Sequence, residues 1–153
     1  TLRNNLTFYQ PDATEEEIAH ALELVGLTSL VTELPKGLDT IVGEGGRSLS
    51  GGQSQRVALA RAVLHRTCRV LVFDEPTAHL DIETEWELKQ RMLPLMEGRL
   101  VFFATHRLHW LSEMDEILLL EDGQVRDFGS YEALSKANSF AYLSSHEKEG
   151  GDV

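Results

Sequence analysis

Apolar residues at helical spacing mark the first half of the chain. Thr14 and Glu17, three residues apart, form a capping box, and apolar residues then recur at helical spacing from 18 to 25. A shorter helix is predicted from Thr28 to Leu34. A third is predicted from Gln53 to His65, with a broad apolar face and with its arginines outside that face. This part of the chain is therefore predicted to be helical.

The pattern changes after the third helix. Short apolar strands at Arg69–Phe73, Leu100–Ala104 and Glu116–Leu120 alternate with helical segments. The longest of these runs from Ile82 to Met96, and Pro94 is predicted to break its last turn. Strands that alternate with helices favour a parallel sheet, because the crossover between parallel strands places a helix on the sheet. The prediction is an α/β fold with a helix-covered parallel sheet.

Charged and turn-forming residues complete the pattern. Glu83, Glu85 and Glu87 predict a solvated face near the positive N-terminus of the long helix. The turn Glu121–Gly123 leads into Gln124–Phe128, which predicts a β-hairpin. The last predicted segments are two helices and a charged tail, at Tyr131–Leu134, Phe140–Ser145 and Glu147–Val153.

Composition narrows the class of protein. The chain has 153 residues, 42% of them hydrophobic, enough for one domain with a core. Its 14 basic against 25 acidic residues give a net charge of −11, which argues against a nucleic-acid partner because phosphates would be repelled. Cys68, the single cysteine, forms no internal disulfide and indicates a reducing compartment. No apolar run approaches the ~20 residues of a membrane helix.

Residues suited to phosphate chemistry lie in two places. Leu49–Gln53, which reads L-S-G-G-Q, stands directly before the third helix. Its glycines allow a phosphate to approach the backbone closely, and the helix that follows directs N–H groups at that phosphate. The strand at 70–73 ends in Asp74 and Glu75, two carboxylates that suit a hydrated magnesium ion and an attacking water.

These motifs resemble those of the ATP-binding cassette family. Leu49–Gln53 is similar to its signature motif, and Val70–Glu75 to its Walker B strand. Ala78–Asp81 resembles its D-loop, and His106, after the apolar run 100–104, resembles its switch histidine. The four motifs stand in family order. The resemblance implies a P-loop NTPase-type parallel sheet with a helical subdomain that carries the signature.

The resemblance implies that the signature serves an ATP bound on a second nucleotide-binding domain. Its residues Ser50, Gly51, Gly52 and Gln53 would hold the γ-phosphate of that ATP. The alternative is that the glycines only help to cap a helix, a common use of the sequence S-G-G.

The acidic pair and the histidine also receive roles from the resemblance. Asp74 would bind Mg²⁺ through water, and Glu75 would orient or deprotonate the attacking water. His106 would donate to the γ-phosphate. The alternatives are an acidic pair that starts a turn and an ordinary surface histidine. A metal site at His106 and His109 is not favoured, because no cysteine or carboxylate completes a ligand set.

The D-loop match departs from the family pattern. Where the family commonly reads S-A-L-D, this chain reads Ala78-His79-Leu80-Asp81. Only Asp81 is therefore carried over as a D-loop residue. The imidazole of His79 is expected to alter communication across a domain dimer.

One family motif is missing. A phosphate-binding loop G-x-x-x-x-G-K-[S/T] needs a Gly-Lys dipeptide, and none occurs in the chain. Thr1–Leu6 resembles the segment just after the family's Q-loop, and the first residue is not methionine. The expectation is a C-terminal fragment of an ATPase domain that is inactive as an enzyme on its own.

The family resemblance also implies how this fragment divides. Residues 1–68 would form the helical subdomain with the signature, 69–146 part of the core, and 147–153 a tail. In the family the Walker A strand lies between the strands that correspond to 100–104 and 116–120. Its absence would leave a gap in the sheet and expose unpaired backbone groups. The fragment alone is therefore predicted to be poorly soluble or molten.

The glycine-rich loop before the signature resembles that of exporter-type transporters. It is predicted to be polar and flexible, and its residues Thr40–Gly46 would meet the coupling helices of a membrane domain. That partner would hold the chain at the cytoplasmic face of the cell membrane. Thr105–Leu111 with Met114 and Asp115 also resembles one subunit of a heterodimeric thiol exporter that supports cytochrome bd assembly.

Three functions follow from these observations. The leading one is the ATP-hydrolysing part of an exporter, with ATP and Mg²⁺ as its ligands. The second is a fragment of a soluble cassette ATPase. The third is a truncated cassette that hydrolyses nothing and acts only as an interaction module.

Overall fold

The computed structural model of the chain describes residues 1–140 and divides into two compact units, Thr1–Phe103 and a unit that begins at Ala104. The first contains α1 (Leu2–Leu6), α2 (Glu15–Leu24), α3 (Thr28–Glu33), a 3-10 helix (Gly37–Asp39), α4 (Gly51–Leu64), β1 (Val70–Asp74), α5 (Ile82–Met96) and β2 (Leu100–Ala104). The second contains α6 (Leu108–Leu111), β3 (Ile117–Glu121), β4 (Gln124–Gly129) and α7 (Tyr131–Lys136). Within these 140 residues, every helix is too short or too polar to cross a membrane.

Helix α2 begins as its sequence predicts. Thr14 Oγ1 accepts a hydrogen bond from the Glu17 N–H at 3.2 Å, and Glu17 Oε2 accepts from the Thr14 N–H at 2.8 Å. The capping box thus satisfies two N–H groups at the helix start, which have no carbonyl partner within the helix. The apolar face buries Ile18, Ala21 and Leu22. The predictions of α2 and α3 are confirmed, to within a residue or two at their ends.

Helix α1 has no counterpart among the predicted elements. Thr1 caps it by accepting from the Asn4 N–H, and Leu2 and Leu6 are buried. It packs against α4, where Arg61 Nε donates to the Asn5 carbonyl at 2.8 Å. A helix of five residues has too few turns to show a hydrophobic period, so packing rather than pattern defines it.

Helix α5 has its predicted bounds, but Pro94 does not break it. The helix continues through Pro94 to Met96. A proline near a helix end removes one N–H that would reach back four residues, and the rest of the turn survives if packing holds it. Here Met92 and Met96 pack against Leu71 and Phe73 of β1.

The prediction of a solvated acidic face on α5 is wrong at Glu85. Glu83 and Glu87 are exposed, whereas Glu85 is fully buried. Helical geometry places Glu85 on the same face as Leu88 and Met92, and that face points inward. The buried carboxylate accepts a hydrogen bond from Thr77 Oγ1.

Strands β1 and β2 form a two-stranded parallel sheet connected through α5, which confirms the predicted α/β fold. On one face, Leu71 and Phe73 pack against α4 and α5. On the other face, the apolar side chains are 49–72% exposed; they are Val70, Val72, Leu100 and Phe102. Within residues 1–140 the predicted helical cover is therefore present on one face only.

In the second unit, β3 and β4 pair antiparallel as the predicted hairpin. Asp122 and Gly123 form its turn with positive φ angles of 49° and 74°. A small core of Leu111, Ile117 and Leu134 holds the hairpin and α7 together. Most of the helix predicted at 140–145, and the tail at 147–153, lie outside the described residues.

Neither sheet has a third strand among residues 1–140. The predicted division of the chain into 1–68, 69–146 and 147–153 stays a prediction.

Candidate functional site

The N-terminus of α4 carries the signature residues. Ser50 is the N-cap: its Oγ accepts from the Gln53 N–H at 3.1 Å, and Gln53 Oε1 accepts from the Ser50 N–H at 2.9 Å. This capping box starts the helix at Gly51, two residues before the predicted start. The side chain of Gln53, one of the expected phosphate ligands, is thus engaged with its own helix.

The capping box leaves two backbone donors available. The first helical hydrogen bond runs from the Ser54 N–H to the Ser50 carbonyl at 2.9 Å, and Ser50 Oγ satisfies the Gln53 N–H. Within residues 1–140, the N–H groups of Gly51 and Gly52 have no hydrogen-bond acceptor. They lie at the positive end of a helix of 14 residues, where an anion is stabilised.

The turn that contains His79 lies against these glycines. A Cβ built on Gly52 would lie 3.3 Å from the His79 carbonyl oxygen, and one on Gly51 would lie 3.5 Å from the His79 ring. The first distance is tighter than a normal contact. Glycine is therefore favoured at position 52 by the close approach of a neighbouring turn, apart from any need to admit a phosphate.

The acidic pair lies at the carboxyl end of β1. Asp74 is the last residue of the strand and is exposed, and Glu75 is half-buried. Glu75 has a positive φ of 44°, which is rare for a glutamate. Its carbonyl accepts hydrogen bonds from Gln55 Nε2 and from the Ala78 N–H. The pair thus begins a turn, as the alternative interpretation expected, and its carboxylates stand at the sheet edge, as the family interpretation expected.

Asp81 begins helix α5. Its Oδ1 accepts from the Thr84 N–H at 2.9 Å, and its Oδ2 accepts from Thr84 Oγ1 at 2.7 Å. These hydrogen bonds favour the charged carboxylate, so they hold the pKa of Asp81 below its ordinary value. Asp81, the expected D-loop residue, is therefore a helix cap.

His106 lies in the second unit, between the end of β2 and the start of α6. Its side chain is exposed. The backbone around it is fixed by the Arg107 N–H, which donates to Thr105 Oγ1 at 3.0 Å across the histidine. This bond sets the direction in which the chain leaves the strand.

The loop before the signature is closed by its own backbone. The Arg47 N–H donates to the Ile41 carbonyl at 2.9 Å, and the Gly43 N–H donates to the Arg47 carbonyl at 3.2 Å. A Cβ on Gly46 would lie 2.4 Å from the Ile41 carbonyl oxygen, so only glycine fits there. The loop is thus more constrained than its composition predicts. Its apolar Ile41 is 60% exposed.

The donor set fits magnesium only in part. Mg²⁺ is commonly held by one or two carboxylates together with waters and substrate phosphates. Asp74 supplies one exposed carboxylate, and residues 1–140 contain no cluster of three or more His, Cys, Asp or Glu that could hold a metal unaided. The site therefore fits Mg²⁺ that arrives with a nucleotide phosphate.

A parallel sheet with an acidic pair at its edge, beside a helix whose N-terminal donors are free, defines a nucleotide-binding domain of the P-loop class. The family described as ABC transporter matches residues 1–78.

Two curated relatives illustrate the range of similarity. The glutathione/L-cysteine transport system ATP-binding/permease protein CydC of Bacillus subtilis (strain 168) is 56% identical over 138 residues, which cover 90% of this chain and 24% of that protein. The cyclolysin secretion/processing ATP-binding protein CyaB of Bordetella pertussis (strain Tohama I) is 40% identical over 137 residues, which cover 90% of this chain and 19% of that protein.

A solved structure described as a bacterial Atm1-family ABC exporter with ATP bound matches with a TM-score of 0.80 and 32% identity, over 96% of this chain and 26% of that one. The chain belongs to the ABC transporter family and has the fold of an exporter's ATP-binding domain. It spans about a quarter or less of the length of these relatives.

Sequence reasoning missed three side chains around the acidic pair. Gln55 binds the Glu75 carbonyl, and Thr77 binds the buried Glu85. Helical spacing from Leu88 and Met92 could have placed Glu85 on the buried face. No sequence signal identifies Gln55, because its contact depends on how α4 packs beside β1. The capping box of Ser50 and Gln53 was also missed, although its S-x-x-Q pattern is visible in the sequence.

Proposed function

We propose that the chain is part of the nucleotide-binding domain of an exporter subunit, which hydrolyses ATP at an interface with a second such domain and so drives transport. The observation that carries this proposal is the pair of available N–H groups at Gly51 and Gly52, on a helix start whose other donors are satisfied. Every helix leaves its first N–H groups unpaired, but here those groups belong to two glycines, which have no side chain to block a phosphate, at the positive end of a 14-residue helix.

The signature acts on ATP bound to the second domain. The N–H groups of Gly51 and Gly52 donate to γ-phosphate oxygens. The Ser50 hydroxyl joins them, because its oxygen accepts from the Gln53 N–H while its hydrogen remains available to a phosphate. Gln53 contributes mainly by holding Ser50 in place.

The acidic pair and the histidine act on ATP bound to the chain's own domain. Mg²⁺ neutralises phosphate charge when bound, and Asp74 holds it through water. Glu75 accepts a proton from the attacking water or fixes its direction of approach. His106 donates to the γ-phosphate and stabilises the charge that develops there. Asp81 starts α5 and fixes the D-loop at the domain interface.

The loop Thr40–Gly46 meets the coupling helices of a membrane domain, at the cytoplasmic face of the membrane. Its tight backbone hydrogen bonds and its exposed Ile41 support this role. A constrained loop can transmit the movement of one domain to another. An exposed apolar side chain can be buried in the contact with a partner helix. Glu44 in the same loop is exposed and supplies a charge at the rim.

We also propose that the transported substrate is a small thiol. The support is the higher identity to the glutathione/L-cysteine transport protein, 56%, than to the toxin-secretion protein, 40%. The second nucleotide-binding domain would then belong to a different subunit, as expected from the resemblance to a heterodimeric thiol exporter.

The first experiment measures ATP hydrolysis by the complete subunit with its partner, as wild type and as Glu75→Gln. We expect wild type to hydrolyse ATP and Glu75→Gln to bind ATP with a turnover at least about 100-fold lower, because one catalytic proton acceptor typically contributes 10²–10⁴-fold. Glu87→Gln, on the exposed face of α5, is the matched control and should behave as wild type.

The outcomes separate the three functions. Absence of both ATP binding and hydrolysis in the complete wild-type protein would support the interaction module. Hydrolysis by a protein that contains no membrane domain would support a soluble ATPase. ATP-dependent uptake of glutathione or cysteine by inverted membrane vesicles, lost in Glu75→Gln, would support the thiol exporter, whereas uptake of neither thiol would contradict the substrate proposal alone.

A further inference from the structure

The backbone at Glu75 adopts a conformation that glutamate does not favour. Three non-glycine residues among 1–140 have positive φ: Glu75 at 44°, Asp122 at 49° and Asn138 at 57°. Asp and Asn tolerate this left-handed region because their short side chains bond to nearby backbone, but Glu lacks that compensation. Such a conformation persists only where surrounding contacts determine it, and strained residues of this kind cluster at functional sites.

The main contact that determines it comes from the signature helix. Gln55 Nε2 donates to the Glu75 carbonyl across 20 residues of sequence. The Ala78 N–H donates to the same carbonyl at 3.2 Å and closes the turn. Two donors on one carbonyl fix the orientation of the peptide that follows Glu75. They thereby fix the direction in which Cα of Glu75 presents its side chain.

A second contact makes the turn rigid on its far side. Thr77 is 1% exposed, and its Oγ1 donates to the carboxylate of Glu85, which is 0% exposed. The residue two positions after Glu75 is therefore anchored to α5. The turn has little freedom to absorb a change at the Glu75 peptide, so loss of the Gln55 contact would move Glu75 itself.

We propose that Gln55 is a positioning residue for Glu75: by donating to the Glu75 carbonyl it holds that residue left-handed and aims its carboxylate at the attacking water. The proposal rests on the proposed function, in which Glu75 acts on that water. Gln55 lies one turn after Gly51 and Gly52 on α4. The contact thus also links the orientation of Glu75 to the helix whose N-terminus binds the partner domain's ATP.

The test compares three variants of the complete subunit with its partner. Gln55→Met keeps the length of the side chain and removes the donor, whereas Gln55→Lys keeps a donor on a side chain of similar reach. Gln90→Met is the matched control, since Gln90 is exposed on α5. Two quantities are measured for each variant: kcat and KM for ATP, and the rate of amide hydrogen exchange at Ala78, whose N–H shares the Glu75 carbonyl.

We expect Gln55→Met to lower kcat about tenfold or more, while KM for ATP changes less than about twofold. The reason is that moving a catalytic group by about an ångström slows the chemical step but leaves the binding of ATP in the ground state unchanged. Exchange at Ala78 should be faster in Gln55→Met. Gln55→Lys should recover most of both properties, and Gln90→Met should match wild type.

Several results would overturn the proposal. One is wild-type kcat and unchanged Ala78 exchange in Gln55→Met. Another is equal loss of kcat in Gln55→Met and Gln55→Lys, which would assign Gln55 to packing alone. A rise in KM at constant kcat would assign it to nucleotide binding. If wild type hydrolyses no ATP, the proposed function fails, and the Ala78 exchange rates still decide whether Gln55 holds the Glu75 backbone.

Discussion

Ser50 and Asp81 each have a structural duty besides the role that the family resemblance gives them. Each is the N-cap of a long helix and accepts a hydrogen bond from the backbone N–H three residues on. Replacing either residue therefore disturbs a helix start as well as its proposed role, which is phosphate binding for Ser50 and the domain interface for Asp81. Loss of ATPase activity in an alanine variant of either would not separate the two effects, whereas Asp81→Asn keeps an acceptor and so changes mainly the charge.

The charge of Asp81 leads to a prediction about pH. The Thr84 N–H, and then the Thr84 hydroxyl, hold the pKa of Asp81 below the ordinary value of 3.8. A carboxylate with a lowered folded pKa stabilises the fold fully above its unfolded pKa, and that stability is lost as pH falls through the folded pKa. We expect wild type to melt at a higher temperature than Asp81→Asn at neutral pH, with a difference that shrinks as pH falls below 3.8.

Melting temperatures of the complete nucleotide-binding domain between neutral pH and about pH 3 would check this prediction. Asp122→Asn is the control, because Asp122 lies exposed in the hairpin turn and begins no helix. A constant difference between wild type and Asp81→Asn down to the lowest pH would contradict the titration of Asp81.

At the scale of elements, α5 is held to the turn after β1 by a buried polar contact. Glu85 and Thr77 are both buried and hydrogen-bonded to each other, and the ammonium of the buried Lys89 lies 4.9 Å from the ring centroid of Trp86. Burial of a carboxylate and an ammonium is costly unless both are well partnered. Polar contacts as well as apolar packing therefore hold α5, the helix that begins after Asp81.

This contact predicts a difference between two variants of Thr77. Thr77→Val keeps the shape and removes the hydroxyl, which deprives the buried carboxylate of one donor and should destabilise the domain by about 1–3 kcal/mol. Thr77→Ser keeps the hydroxyl and loses one methyl group, which should cost about 0.8 kcal/mol. Urea unfolding of the complete domain measures both. Destabilisation by Thr77→Val that is no greater than that by Thr77→Ser would mean that the hydrogen bond contributes no more than one buried methyl group.

Helix α4 contributes to three different parts of the structure. Its N-terminus presents the Gly51 and Gly52 donors, its next turn carries Gln55 to the Glu75 carbonyl, and Arg61 donates to Asn5 of α1. Helices transmit a displacement along their axis because their hydrogen bonds make them stiff. In the proposed function, a nucleotide bound at the signature acts on the element that also contacts the acidic pair.

At the scale of the whole molecule, the sheet of β1 and β2 leaves one apolar face uncovered within residues 1–140. Val72 is 72% exposed and Phe102 is 56% exposed on that face. Parallel sheets normally have both faces covered, and unpaired strand edges favour association with other chains. The exposed face is a second source of association, besides the unpaired strand edges that the expected gap in the sheet would leave.

We predict that the isolated 153-residue chain is molten or aggregates. It should bind a hydrophobic dye and unfold without a cooperative thermal transition, as monitored by near-ultraviolet circular dichroism and calorimetry. Replacing Val72 and Phe102 with threonine should reduce dye binding and aggregation, while the same change at Ile41 in the loop should have less effect. A sharp, reversible melting transition of the unaltered chain would refute this prediction.

The elements with clear periodicity were predictable from the sequence. The bounds of α2, α5 and β2 agree with their predicted bounds to within a residue or two, because each has a cap, a turn or an apolar run that acts locally. The family follows from short motifs in a fixed order and the exporter type from the loop before the signature, and the comparisons confirm both. The position of Gly51 and Gly52 at a helix start was predictable for the same reason, and their role as phosphate donors stays a proposal.

Tertiary packing decided which side chains are buried or hydrogen-bonded around the acidic pair, which the local sequence pattern does not determine. The side chain of Glu85 is buried because α5 turns that face toward Thr77. Its spacing from Leu88 and Met92 indicates the buried face, but nothing in the sequence indicates that Thr77 is its partner. The left-handed backbone of Glu75 and its bond to Gln55 depend on the placement of α4 beside β1. The sequence by itself determined the motifs, the helix starts and the α/β class, since these depend on neighbours along the chain. Only the tertiary structure decided which side chains hold the acidic pair, because those contacts join residues that are distant in sequence.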